Sequence, residues 1–159
     1  MPDFAEMAVS FLRACDIIVQ EQIAKPILLG NKQRITQLIE KLGLSTLQKE
    51  AVIITPSQDD NREAYAEKLF EYRQRRGFTK DQCFSILKNE NYYGSMMVRL
   101  GDADGLLSGV TQSYPETIRP ALQVIGSREN TVIAGVYMML FKDRLLFFAD
   151  TTVNIEPTA

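Results

Sequence analysis

Apolar residues recur along this chain at two different periods. Phe4, Met7, Ala8, Phe11, Cys15 and Ile18 follow helical spacing, which predicts an amphipathic first helix ending before Lys25-Pro26. Ile27-Leu28-Leu29 is instead a continuous apolar run, which predicts a short buried strand, with Gly30-Asn31 turning the chain and capping a helix. Ile35, Leu38, Ile39 and Leu42 are the i, i+3, i+4, i+7 stripe of that helix, and Gly43 fits the residue just past its end. Ala51-Val52-Ile53-Ile54 predicts a second strand, stopped by Thr55-Pro56. Strand, helix and strand at this spacing form a right-handed βαβ unit, so the expected class is α/β with a parallel sheet.

The pattern continues through the second half. Tyr65, Leu69 and Tyr72 mark a helix that closes on Arg73-Gln74-Arg75-Arg76-Gly77, and Thr79 with Gln82 reads as a capping box opening a short helix through Cys83, Ile86 and Leu87. Tyr92, Tyr93, Met96, Met97 and Leu100 form a further helical stripe, read as core. Leu106-Leu107 predicts a short buried central strand, and Ser108-Gly109-Val110-Thr111 the loop after it. Ser113 and Glu116 form a second capping box, with Pro115 tolerated in the first turn. Pro120 predicts a break near Thr117 and a fresh helix from Pro120 to Ile125, leaving Arg119 near a helix N-terminus. Val132 to Phe141 and Leu145 to Phe148 flank Lys142-Asp143-Arg144 as a hairpin, after which Ala149 to Asn154 leaves the sheet with polar groups exposed. Glu156-Pro157-Thr158-Ala159 reads as the first turn of another helix, so the expectation is a domain cut short at its C-terminus.

Composition narrows the functions. With 159 residues and 45% hydrophobic content, the chain is one domain or part of one. A net charge of −2 supplies no field for nucleic acid or an anionic membrane, and no apolar run reaches a spanning length. No basic-then-apolar leader is visible, so the expected location is cytoplasmic. The sequence has no histidine, which excludes Ser-His-Asp and Cys-His relays and histidine-ligated zinc. Cys15 and Cys83 are compatible with a disulfide, but two buried reduced thiols are favoured. Asp102 and Asp104 invite a hard cation, yet the further oxygen ligands of a calcium loop are missing. A structural role in hydrogen-bonding nearby backbone amides is favoured, and no metal site is expected.

Candidate chemistry gathers where small residues follow a strand. Ser108, Gly109 and Thr111 let a ligand approach the backbone, and an arginine such as Arg119 can fork onto a phosphate or carboxylate. Arg73, Arg75 and Arg76 close a helix, where positive charge complements the helix dipole.

Gly101-Asp102-Ala103-Asp104-Gly105-Leu106-Leu107-Ser108-Gly109, then Ile118-Arg119-Pro120-Ala121-Leu122-Gln123-Val124-Ile125-Gly126, resembles the phosphate acetyl/butyryl transferase family, and Phe147 to Asn154 extends the likeness. The link Thr111-Gln112-Ser113-Tyr114-Pro115 is most similar to the copy of this domain at the C-terminus of bacterial malic enzymes. The resemblance covers about the first half of a family domain. It implies a three-layer α-β-α sandwich with a mainly parallel sheet, of the isocitrate/isopropylmalate dehydrogenase-like kind. It also implies that Arg73 and Arg119, with Ser108, Gly109 and Thr111, bind acetyl-CoA or CoA. The family's catalytic serine, arginine and aspartate fall in its second half, so residues 1–159 are expected to carry no catalytic residue and no turnover alone.

On this resemblance the leading expectation is a fragment of the C-terminal domain of an NAD(P)-dependent malic enzyme, which oxidatively decarboxylates malate to pyruvate. The domain would bind acetyl-CoA for regulation and assembly into a dimer or larger homo-oligomer. NAD(P) and Mg or Mn would belong to a separate upstream domain, since no Gly-x-Gly-x-x-Gly is present here. The alternatives are part of an active phosphate acetyltransferase, or a structural dimerisation module.

Overall fold

The structure, a computed structural model, describes residues 4–110, 112–127, 131 and 133–150. These fall into two compact units that meet in sequence between Ile125 and Gly126. The first contains, in order, α1 (Phe4–Gln20), β1 (Ile27–Leu29), α2 (Lys32–Lys41), α3 (Ser45–Glu50), β2 (Val52–Ile54) and α4 (Asn61–Arg73). A 3-10 turn (Gln74–Arg76), α5 (Lys80–Ile86), α6 (Glu90–Leu100) and α7 (Tyr114–Val124) follow.

β1 and β2 pair in parallel, with Ile27 opposite Val52, Leu28 opposite Ile53 and Leu29 opposite Ile54. Alternation along the strands then decides the layering. Leu28 and Ile53 enter one core with Leu12 and Cys15 of α1, Ile39 of α2 and Leu47 of α3. Ile27, Leu29 and Ile54 pack on a second core built from Tyr65, Leu69, Cys83, Leu87, Tyr93, Met96 and Val124. Helices therefore cover both faces of the parallel pair, the α-β-α arrangement expected. Leu47, Leu69 and Leu87 are wholly or almost wholly inaccessible. Each such side chain is worth about 1.5–3 kcal/mol relative to exposure.

Local signals hold at most boundaries. Asn31 caps α2 through its side chain, Gly77 closes the 3-10 turn at φ +84°, and the Thr79–Gln82 capping box opens α5. Both cysteines are free and buried, and burial raises both thiol pKa values.

Four expectations are corrected. In α1, Phe11 is 37% exposed while Leu12, Cys15 and Asp16 form the buried face. Asp16 is drawn inward because its Oδ1 accepts the Leu47 backbone N–H at 2.8 Å. That bond caps α3, a helix not foreseen, whose own cap position, Leu44, offers no side-chain oxygen. Leu106-Leu107 is not a strand: it pairs with no strand among the described residues, and Leu107 is 79% exposed. Finally, α7 runs unbroken through Pro120.

The second unit is an antiparallel hairpin, β3 (Val136–Leu140) with β4 (Leu145–Ala149), in which Met138 faces Phe147 and Tyr137 faces Phe148. It matches the predicted hairpin but starts later than Val132, which lies outside the described residues. So do the expected polar exit at 151–154 and the helix turn at 156–159. No helix of the described residues is long and apolar enough to cross a membrane.

Candidate functional site

The first turn of α6 organises the site. The Asn89 side chain accepts the backbone N–H groups of Asn91 and Tyr92 at 3.0 and 3.3 Å, which fixes the helix start. Gly94 then lets α6 close on its neighbours. A Cβ there would lie 2.8 Å from Leu106 Cδ1 and 3.1 Å from Leu29 Cδ1, so any larger residue would displace one of them.

Asn91 is 3% exposed and holds three partners. Its Oδ1 accepts from the Ser108 hydroxyl at 2.7 Å, and its Nδ2 donates to Gln112 Oε1 and to the Glu116 carbonyl oxygen, the latter at 3.4 Å. The last contact explains why Pro120 does not break α7. Proline lacks the N–H that would normally reach the carbonyl four residues back, and Asn91 supplies a donor to that carbonyl instead. Arg119 therefore sits within a continuous helix, not at a fresh N-terminus, and free helical amides do not attract anions to it.

Tyr92, read from the sequence as core, is half-buried, and its hydroxyl donates to Gln123 Oε1 of α7 at 2.6 Å. Burial raises the Tyr92 pKa, while the positive charges of Arg119 and Arg73 pull it down. Arg73 of α4 and Arg119 of α7 are thus both near enough to Tyr92 for their charges to be felt there. Arg73 is half-buried, with its guanidinium 5.4 Å from the centre of the Phe78 ring and its buried Nε without a hydrogen-bond partner. Arg119 is exposed. Neither forms a salt bridge among the described residues, where the ion pair present is Lys68–Glu71. Two guanidinium groups near one side chain, neither of them in a salt bridge among the described residues, are suited to a polyanion. Glu116 keeps its charge nearby because the Ser113 side chain and backbone both hydrogen-bond it, with Arg119 assisting, which lowers its pKa.

The loop residues divide. Ser108 is exposed and tied to Asn91. Gly109 adopts φ +114°, a conformation that favours glycine, and lies against Thr117 of α7. Thr111 lies outside the described residues. The structure thus joins Ser108 and Gly109 to α6 and α7, while Arg73 and Arg119 share only their proximity to Tyr92. Asn91, Tyr92 and Gln123 were not singled out from the sequence. An asparagine two residues past a helix cap gives no signal of a bond to a loop seventeen residues on.

A buried network secures the flanking loops. The Tyr93 hydroxyl donates to Asp59 and the Tyr65 hydroxyl to Asp102, with the two rings 5.0 Å apart. Burial first, and then these carboxylates, raise both phenol pKa values. Asp102 thus bonds a tyrosine and not the nearby backbone amides expected of it. No group of three or more metal-binding side chains gathers among the described residues. An open cavity of about 490 Å³ is lined by Arg76, Gly77, Phe78, Gln82, Ser85 and Ile86, and shares Phe78 with Arg73, whose guanidinium lies over that ring. Arg76 is the cation among its lining residues.

Known proteins agree with this architecture. The chain is 35% identical over its whole length to a phosphate acetyltransferase of Nitratidesulfovibrio vulgaris, of which it spans 22%. Over 87% of its length it is 30% identical to a probable NADP-dependent malic enzyme of Rickettsia prowazekii, of which it spans 18%. A phosphotransacetylase structure from Streptococcus pyogenes superposes on 96% of the chain with a TM-score of 0.83 at 32% identity, and the chain covers 46% of it. The chain therefore spans less than half of each of these relatives. The sequence profile of the phosphate acetyl/butaryl transferase family matches residues 5–159, and the chain belongs to that family.

Proposed function

We propose that this chain is the acyl-CoA- and phosphate-binding part of a phosphate acetyltransferase, which exchanges acetyl-CoA and phosphate for acetyl phosphate and CoA. The reading is supported by the family match over residues 5–159, and by Arg73 and Arg119, on separate helices, both lying near enough to Tyr92 for their charges to be felt there while neither forms a salt bridge among the described residues. In this reading the arginines hold phosphate groups and Ser108 and Gly109 line the approach to the thioester, with Thr111 a binding residue on the family resemblance alone. In the reaction a phosphate oxygen attacks the thioester carbonyl carbon, the C–S bond breaks, and the departing sulfur takes a proton. Stabilising the oxyanion and protonating the sulfur need groups beyond the cations described here. The 159-residue chain alone is accordingly expected to bind and not to turn over.

Calorimetric titration with CoA tests the binding. Arg73→Ala and Arg119→Ala should each weaken it by roughly 10- to 100-fold, the value of a charge-assisted hydrogen-bonded contact. Unchanged affinity in both variants sinks the reading. Phosphate-dependent acetyl-CoA consumption by the purified chain, abolished in Arg119→Ala, would overturn the expectation of no turnover.

The malic enzyme reading is favoured by one observation, the 30% identity to the rickettsial protein. The 35% identity to a phosphate acetyltransferase over the whole chain, and the phosphotransacetylase structure, weigh more. A short native gene product separates them, but a long one does not, since the chain spans only 22% of the Nitratidesulfovibrio phosphate acetyltransferase as well. A product about twice this chain's length matches the streptococcal protein, of which the chain covers 46%. One about five times its length fits the rickettsial protein and the long acetyltransferase alike, and NADP-dependent malate oxidation by that product then decides between them. Dimer formation and a cytoplasmic location go with either reading as part of the proposal.

A further inference from the structure

We infer that Asn91 fixes the Ser108 hydroxyl as a hydrogen-bond acceptor toward the ligand. Ser108 then reads an N–H or S–H of the carrier's thiol arm and takes no part in holding phosphate. The inference rests on the function proposed above and assigns a division of labour within that site.

The argument is one of hydrogen-bond direction. The Glu116 carbonyl oxygen can only accept, and it faces Asn91 because Pro120 has no N–H to offer it. The amide nitrogen of Asn91 must therefore point at Glu116, which fixes which way the buried amide is turned. Gln112 Oε1 accepts from the same nitrogen. The remaining amide atom, Oδ1, is 2.7 Å from Ser108 Oγ and can itself only accept. The one proton of the Ser108 hydroxyl is thus spent on Asn91, and the exposed side of that oxygen presents lone pairs alone. Lone pairs repel phosphate oxygens and attract N–H or S–H groups, which the amide-bearing thiol arm of CoA carries. Asn91 acts through Ser108 and is a positioning residue.

Paired titrations with CoA and with inorganic phosphate test this in the full chain. Ser108→Ala should weaken CoA binding by about three- to tenfold, one neutral hydrogen bond, and leave phosphate binding unchanged. Ser108→Thr, which keeps the hydroxyl, should restore CoA affinity. If Ser108→Ala weakens phosphate binding as Arg119→Ala does, Ser108 is a donor to the anion and the inference falls.

A ligand-free measurement separates this from failure of the functional reading. The Asn91 side-chain N–H protons should exchange slowly with water in the wild-type chain and remain slow in Ser108→Ala, because Ser108 meets the oxygen and not the nitrogen. Loss of that protection in Ser108→Ala overturns the orientation. No CoA binding by the wild-type chain sinks the functional reading and with it the ligand named here, while the exchange result still decides the orientation.

Discussion

Glu116 illustrates how one side chain can serve the local helix and the site together. It closes the capping box of α7 by accepting the Ser113 hydroxyl at 2.7 Å and the Ser113 N–H at 3.0 Å. Those bonds to the ionised form hold its pKa below the ordinary value of 4.5. A carboxyl whose folded pKa is lowered contributes stability at pH values above its unfolded pKa, and loses it as pH falls through the lowered value. Glu116→Gln can still cap but cannot carry the charge. The wild-type advantage over Glu116→Gln in denaturant unfolding should therefore be constant from neutral pH down to about pH 5 and shrink below that, in the carboxylate range. An advantage that persists unchanged at strongly acid pH would show that ionisation is not its source. At this scale the sequence was informative where a residue acts through a local pattern. The capping boxes at Thr79 and Ser113 were readable because both partners lie within three positions. Asn91 was not, because its partners lie on a loop and a helix that the chain reaches only later.

The elements carry the same lesson in their errors. Helix α3 has six residues and Leu44 at its cap position, so neither length nor capping pattern announced it. Its cap is Asp16, 31 residues earlier, donated by α1 across the first core. Asp16→Ala would leave the Leu47 N–H unpaired in a place where Leu47 itself is 0% exposed. The expected cost is about 1–3 kcal/mol, the loss of a cap plus a stranded donor. Asp16→Asn keeps an acceptor oxygen and should cost clearly less. Equal losses in the two variants, measured by denaturant midpoint, would mean that the carboxylate charge and not the cap matters. Helix α7 failed in the opposite sense: proline predicts a break, and a donor from α6 removes the reason for one. Leu106-Leu107 has the composition of a buried strand, but pairing with a neighbour is what makes a strand, and composition carries no record of that neighbour. The parallel pair β1–β2 was legible because two apolar runs flank a helical stripe at crossover spacing, even with α3 unforeseen between them, and its alternating burial then fixed the two helical layers.

For the whole molecule, the two units obey different rules. Residues up to Ile125 close around two apolar cores, whereas the hairpin contributes no residue to a buried cluster among the described residues. Val136, Met138, Leu140, Leu145 and Phe147 share one of its faces at 44–82% exposure. Tyr137, Met139, Leu146 and Phe148 share the other at 36–49%. Strands apolar on both faces are the pattern of sheets covered on both sides, and soluble proteins rarely expose contiguous apolar patches beyond a few hundred Å². An isolated two-stranded hairpin is also marginal in water. The 159-residue chain should therefore bind an apolar fluorescent dye and self-associate as its concentration rises. Met138 and Phe147 are cross-strand partners on the more exposed face, so lysine at both removes the centre of that face. The double variant should lower dye binding and light scattering severalfold, while the unfolding midpoint of the first unit, followed through its buried tyrosines Tyr65 and Tyr93, stays within about 0.5 kcal/mol of wild type. If the wild-type chain stays monomeric and dye-silent at high concentration, the hairpin faces are covered in solution. If instead both variant and wild type associate equally, the adhesive surface lies on the first unit.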